Sequence, residues 1–98
     1  VYIILKEMVT AVILFSVENS RVNQVGETLA TLSGITEVFS VSGQYDLVAL
    51  ARVNKNEDLA DLMTEQIRGL EGIIKTETLI AFRTLSRFDL ESMFDLGS

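Results

Sequence analysis

The stretch "ITEVFSVSGQYDLVALARV", residues 35–53, decides the fold. Two apolar, β-branched runs, Ile35–Ser42 and Leu47–Val53, flank Gly43, Gln44, Tyr45 and Asp46. Glycine turns a chain because it accepts positive φ, and aspartate because its side chain bonds nearby backbone. The stretch therefore reads as two strands joined by a hairpin turn. A Gly-x-x-Asp turn is either plain hairpin chemistry or the lip of a pocket, and the residues alone leave both open.

The flanks extend the pattern in both directions. Upstream, Val22, Val25, Leu29 and Leu32 recur at spacings of three and four, which predicts a helix. Gly34 is its left-handed stop, and Glu18-Asn19-Ser20 supplies cap chemistry at its start. Val9–Val17 is too short for a helix and reads as a strand, apolar enough to need cover on both faces. Downstream, Asn56 is expected to cap a second helix, with Glu57 and Asp58 at its positive end. Leu59, Leu62, Met63, Ile67 and Leu70 form its apolar stripe. Gly72 ends the connection, and Ile73–Thr84 reads as a long last strand. Ser86 is expected to cap a short closing helix that docks Phe88, Leu90 and Phe94.

This order is β-α-β-β-α-β plus a tail: an α+β, ferredoxin-like antiparallel sheet with both helices on one face. "LSGI" (32–35) and "LEGI" (70–73) stand 38 residues apart, each at a helix-to-strand junction, which fits a duplicated β-α-β unit. The expected layout is an N-terminal extension over residues 1–7, a domain over 8–84 and a C-terminal tail with a short helix over 85–98.

Composition narrows the function. The chain has 98 residues, 48% of them hydrophobic, and a net charge of −6. It holds no Cys and no His, so disulfides, thiolates and imidazole ligands are all missing from its chemistry. A small apolar domain without such staples gains its extra burial from another subunit. Eight scattered Lys and Arg among fourteen acids argue against direct binding of nucleic acid. The longest charge-free stretch near the start, "MVTAVILFSV" (8–17), is well short of the roughly 20 residues a bilayer span needs. "VYIILKE" lacks the basic start and cleavage site of a secretion signal, so a cytoplasmic protein is expected.

Topology then poses the problem of the bare face. Four strands with both helices on one side leave the other side uncovered. On the first strand, either Val9, Ala11, Ile13, Phe15 and Val17 or Val12 and Leu14 must point outward. On the third, Val48 and Leu50 alternate with Leu47, Ala49, Ala51 and Val53. An uncovered apolar sheet is a liability on a monomer, and sheet-to-sheet dimerisation is the simplest remedy.

The same topology starts the third and fourth strands at one end of the sheet. Asp46 opens one, and Thr76 and Thr78, on one face by the period of two, open the other. A glycine turn, a carboxylate and two hydroxyls at one rim would suit a zwitterion. Against this, Gly and Asp are ordinary turn residues and Thr an ordinary strand residue. Tyr45 at the turn tip would contact either a ligand or a partner subunit.

Other constellations say less. Glu57, Asp58, Asp61 and Glu65 lack a glycine-punctuated ligand loop and read as a solvated helix face, so no metal is expected. Arg83 and Arg87 are expected to pair with Asp89 or Glu91 rather than to take an anion. No His stands ready to activate Ser or Thr, so no catalytic residue and no cofactor is expected.

The segments "LATLSGITEVFSVSGQYDLVALARV" and "GIIKTETLIAF" resemble the effector-binding (RAM) domain of the Lrp/AsnC regulators over residues 8 to 84. The carriers are the L-x-G-V/I-x-x-V helix exit, the V-x-G-x-Y/F-D-L hairpin and the G-V/I-x-x-T-x-T start of the last strand. Full-length members carry an N-terminal helix-turn-helix, where this chain has Val1–Glu7, so it resembles the stand-alone group. The resemblance implies a dimeric α+β barrel, assembly into a ring of four dimers, and amino-acid binding between neighbouring dimers. It implies ligand-site roles for Gly43, Gln44, Tyr45, Asp46, Thr76 and Thr78, and a part in transcription through partners, full-length family regulators among them. Cofactor-free monooxygenases share the barrel shape and are the rival reading, weakened by the absence of His and Trp. An amino-acid sensor of ACT type would place a glycine in the first strand-to-helix loop, where "VENSRV" has none.

Overall fold

The structure, a computed structural model, describes residues 8–85. Its elements are β1 (Val9–Val17), a 3₁₀ turn (Asn19–Arg21), α1 (Val22–Ala30), β2 (Ile35–Ser40) and β3 (Leu47–Val53), followed by α2 (Asn56–Asp61) and β4 (Ile73–Ile80). A π-helical turn, Leu62–Ile67, continues α2 without a break. The sheet runs β2-β3-β1-β4 with every pairing antiparallel. This is the ferredoxin-like α+β fold expected from the sequence.

Alternation along the two central strands separates core from surface. Ala11, Ile13, Phe15 and Val17 of β1 are buried, as are Leu47, Ala49 and Ala51 of β3. The register sets Ile13 opposite Ala49 and Phe15 opposite Leu47, so large side chains on β1 meet smaller ones on β3. Val25 and Leu29 from α1, with Leu59, Leu62 and Ile67 from α2 and its π turn, fill the space above. No polar side chain is buried among the described residues. The core is one apolar layer between sheet and helices.

The opposite face carries the even-numbered set of β1. Val12 pairs with Leu50 and Leu79, and Leu14 with Val48 and Glu77. Phe39 extends the second row beyond Val48. Phe39 is 43% exposed and Leu79 51%, while Val12, Leu14, Val48 and Leu50 are half-buried by their neighbours alone. The uncovered apolar face expected from topology is present, and Val12 and Leu14 are the outward residues.

Two glycines confirm the internal echo. Gly34 and Gly72, the third letters of "LSGI" and "LEGI", have φ of 97° and 99°, a region that side chains with a Cβ rarely adopt. Each also bonds across the fold: Arg52 N–H donates to the Gly34 carbonyl and Glu18 N–H to that of Gly72, both at 2.8 Å.

Several boundaries and caps differ from the expectation. β2 ends at Ser40: Val41 N–H still bonds the Asp46 carbonyl, one step on in the register, but the Asp46 amide goes to the Phe15 carbonyl and does not return the bond. β4 ends at Ile80, its last rung being Ala81 N–H on the Thr10 carbonyl. Neither helix has a side-chain cap. Asn19 and Ser20 lie inside the 3₁₀ turn, and Asn56 is already helical. The N-cap position falls on Lys55, one residue before Asn56, so the Asn side chain lies inside the first turn and does not cap it. The closing helix from Ser86, with Phe88, Leu90 and Phe94, and the pairing of Arg87 with Asp89 or Glu91 lie outside the described residues. No helix among the described residues is long and apolar enough to cross a membrane.

Candidate functional site

Asp46 is the hinge of the hairpin end. Its amide donates to the Phe15 carbonyl, and its Oδ2 accepts the Val17 amide, each at 2.8 Å. One residue thus ties the start of β3 to the end of β1, just where β1 slips register against β4 between Ser16 and Val17. Gly43 stands in the loop at φ 130° with open space around it, Gln44 is exposed, and Tyr45 is half-buried.

Thr76 and Thr78 sit on the other flank of β1. They stand opposite Phe15 and Ile13, which places them on the helix-bearing side of the sheet. Both are exposed, because β4 is the sheet edge and the helices do not cover it. The Thr78 hydroxyl points to the Met63 sulfur at 4.0 Å, a distant and weak contact. Since Phe15 has Leu47 on one side and Thr76 on the other, the hairpin and the threonines stand two strand spacings apart, roughly 10 Å. The fold sets Thr76 level with the hairpin end of the sheet and Thr78 farther in, opposite Ile13 at mid-strand, so the six candidates fall into two groups.

Two surface grooves border these elements. The larger, about 430 Å³, runs beside α2 and includes Arg52, Asn54, Asp58, Asp61 and Glu65. Its carboxylates form the acidic run of the sequence, open to water, and the described residues hold no cluster of three or more metal-ligating side chains. The smaller groove, about 260 Å³, lies between the π turn and the start of β4. Met63, Ile67 and Ile73 make its apolar part, and Arg68, Lys75 and Thr76 its polar part. Of the six sequence candidates, Thr76 alone lines it. Gly43, Gln44, Tyr45 and Asp46 line neither groove.

Sequence reasoning missed Arg68 and Lys75. Each is one basic residue among many polar neighbours, and only the turn at Gly72 brings them to one place. Among the described residues the ion pairs all belong to Arg21, which meets Glu18 and Glu71 at 3.4 Å. Arg68 and Lys75 therefore keep their charge unpaired there.

Comparison with known proteins places this geometry. Residues 10–90 match the Lrp/AsnC ligand binding domain family. The chain is 31% identical over 74 residues to the HTH-type transcriptional regulator FL11 of Pyrococcus horikoshii, covering 76% of this chain and 48% of that one. Curated relatives matched are named as HTH-type transcriptional regulators, and the chain spans from 41% to 55% of their length. Among solved structures, TTHA0845 from Thermus thermophilus is 47% identical, with a TM-score of 0.76 over 81% of this chain and 99% of that one. The fold also matches a Neisseria meningitidis transcriptional regulator solved with L-Met, at TM-score 0.74 over 85% of this chain and 55% of that one, but only 9% identity.

Proposed function

Since the chain belongs to the Lrp/AsnC ligand-binding domain family, we propose that it is an effector-sensing and assembly domain without enzymatic activity. Copies pair through the outer faces of their sheets, dimers assemble further to a ring of four, and a small amino acid or related metabolite binds between dimers. Gly43, Gln44, Tyr45, Asp46, Thr76 and Thr78 are its proposed contacts. Ligand acts by binding one packing of the dimers better than another, which is the only way a ligand can shift such an equilibrium. In this reading the domain is cytoplasmic, and transcriptional output passes through full-length family regulators that join mixed assemblies with it.

The observation that carries the reading is the outer sheet face. Its two central rows, Phe39-Val48-Leu14 and Leu50-Val12-Leu79, are apolar, end in Glu77 and Glu37 at opposite edges, and are uncovered by anything in the described chain. A second copy offers the same surface and so a matching one. The division of the six candidate residues into two groups agrees with a site that needs more than one chain. The methionine held by the Neisseria regulator supports an amino acid as the ligand class.

A thermal-shift screen against the twenty amino acids, paired with sedimentation, tests the proposal. At least one amino acid is expected to raise the melting temperature and to change the distribution of assemblies. Thr76→Val with Thr78→Val is expected to remove the shift while the dimer persists. Asp46 is a poor choice for this test, because it also holds Val17. Silence across the amino acids and their close derivatives would leave assembly alone as the function.

A further inference from the structure

We infer that residues 86–98 fold back over the helix-bearing side of β4 and cover Thr76, Thr78 and Ile80. The inference goes beyond the effector-sensing reading and stands or falls without it.

The helix layer stops short of β4. α1 packs on β2 and β3 and α2 on β3, whereas β4 packs on β1. The gap shows across a single strand spacing. Ala11, Ile13 and Phe15 of β1 are buried, yet Ile80, Thr78 and Thr76, their direct partners on β4, are exposed on the same side of the sheet. Ile80 is 57% exposed, the threonines add methyl groups, and the strip they form carries no charge. Met63 of the π turn marks its inner margin, with its sulfur 4.0 Å from the Thr78 hydroxyl. One more segment of helix length would complete the layer.

The chain delivers such a segment to this strip. It leaves β4 at Ile80, its next amide held on the Thr10 carbonyl, and Phe82 and Leu85 follow without cover, Leu85 at 74% exposure. Residues 86–98, "SRFDLESMFDLGS", then bring Phe88, Leu90, Met93, Phe94 and Leu96. A helix over that length is about 20 Å long, and the strip from Ile80 to Thr76 roughly 13 Å, so residues 81–85 remain free to make the turn. Charge fits as well. Asp89, Glu91 and Asp95 outnumber Arg87 in the tail, and Arg68 stands at the Thr76 end of the strip with no acidic partner among the described residues. An attached segment also competes from a local concentration on the order of millimolar, above that of a second copy in dilute solution. The tail thereby covers the two threonines proposed as ligand contacts, and a ligand that uses them has to displace it.

The chain holds no Cys, so one introduced thiol reports cover without background. Thr78→Cys and Ile80→Cys, each alone in the full chain, are expected to react with an aromatic disulfide reagent about tenfold more slowly than Thr31→Cys at the exposed end of α1. The slowing is expected at every protein concentration, and adding Phe88→Ser with Phe94→Ser is expected to abolish it. Rates equal to that of Thr31→Cys with the parental tail in place would overturn the inference, whatever the tail variant does. Slowing that survives the tail substitutions would overturn it as well, and slowing that grows with protein concentration would assign the strip to a second copy instead. None of these outcomes bears on the amino-acid screen.

Discussion

The Asp46 carboxylate takes the Val17 amide at 2.8 Å, and the Asp46 amide reaches the Phe15 carbonyl at the same distance. Asp46→Ala leaves the part-buried Val17 amide without its acceptor, so a loss of about 1–2 kcal/mol is expected in urea unfolding. Asp46→Asn keeps an amide oxygen at the same place and is expected to lose less than half as much. The sequence could not choose between turn chemistry and pocket lip here, because the partner of Asp46 lies 29 positions upstream. Pairings of that kind depend on strand register, and no local spacing encodes them. Gly72 is the opposite case. Its helix-to-strand position marked it from the letters, and the structure gives φ 99° and a Cβ site only 2.7 Å from the Arg21 Cδ. Arg21 is a flexible side chain that can move, but the backbone cannot relax so easily. Gly72→Ala is therefore expected to cost about 1–3 kcal/mol by chemical denaturation.

Elements show a graded legibility. β1 and β3 were readable end to end, since their β-branched runs start and stop with the ladder. The helices were readable in their apolar stripes but not at their ends, where the N-cap positions fall on Arg21 and Lys55, neither of which has a capping oxygen on its side chain. The π turn was not readable at all. At about 100° per residue a regular helix puts Leu62 and Ile67 roughly 140° apart, yet both are 1% exposed. A hydrogen-bond step of five residues widens the turn, so positions five apart lie closer to one face and both are buried. The stripe Leu59, Leu62, Met63, Ile67, Leu70 is compatible with either winding, so the extra residue leaves no mark in the pattern. The consequence is measurable. Leu62→Ala and Ile67→Ala are each expected to cost about 2–5 kcal/mol, whereas Met63→Ala, at the half-exposed groove wall, is expected to cost under about 1.5 kcal/mol. Equal losses at all three would mean that the turn does not hold its winding in solution.

At the scale of the whole molecule, a single layer of helices shields one side of a four-stranded sheet. The alternation in β1 allowed either set to face outward, and what decides is the partner strand. Ala49 and Ala51 leave room for α1 and α2 to approach Ile13 and Ala11, which Val48 and Leu50 would not. The larger residues of β3 are thereby sent outward with Val12 and Leu14. Seven registered pairs along β1 and β3, at about 3.3 Å per residue, give that face a length of roughly 20 Å, and four strands a width of roughly 15 Å. Its apolar part is the middle of that rectangle, where Phe39, Val48, Leu14, Leu50, Val12 and Leu79 meet, bounded by Glu37, Glu77 and Arg52: an apolar centre with a charged rim, as an interface between copies would have. A substitution that spoils the face without touching the core separates assembly from folding. Leu14 is the direct cross-strand neighbour of Val48 on one side and of Glu77 on the other, so Leu14→Arg combined with Val48→Glu sets a cation between two carboxylates and preserves the strand pairing. The isolated chain then carries a surface ion pair, while two such faces pressed together would bury four charges at a heavy desolvation cost. The double variant is expected to keep the parental circular dichroism and to sediment as a single chain at concentrations where the parent is dimeric. If it kept the parental mass, the outer face would not be where the copies meet, and assembly would have to run through an edge, β2 or β4, instead.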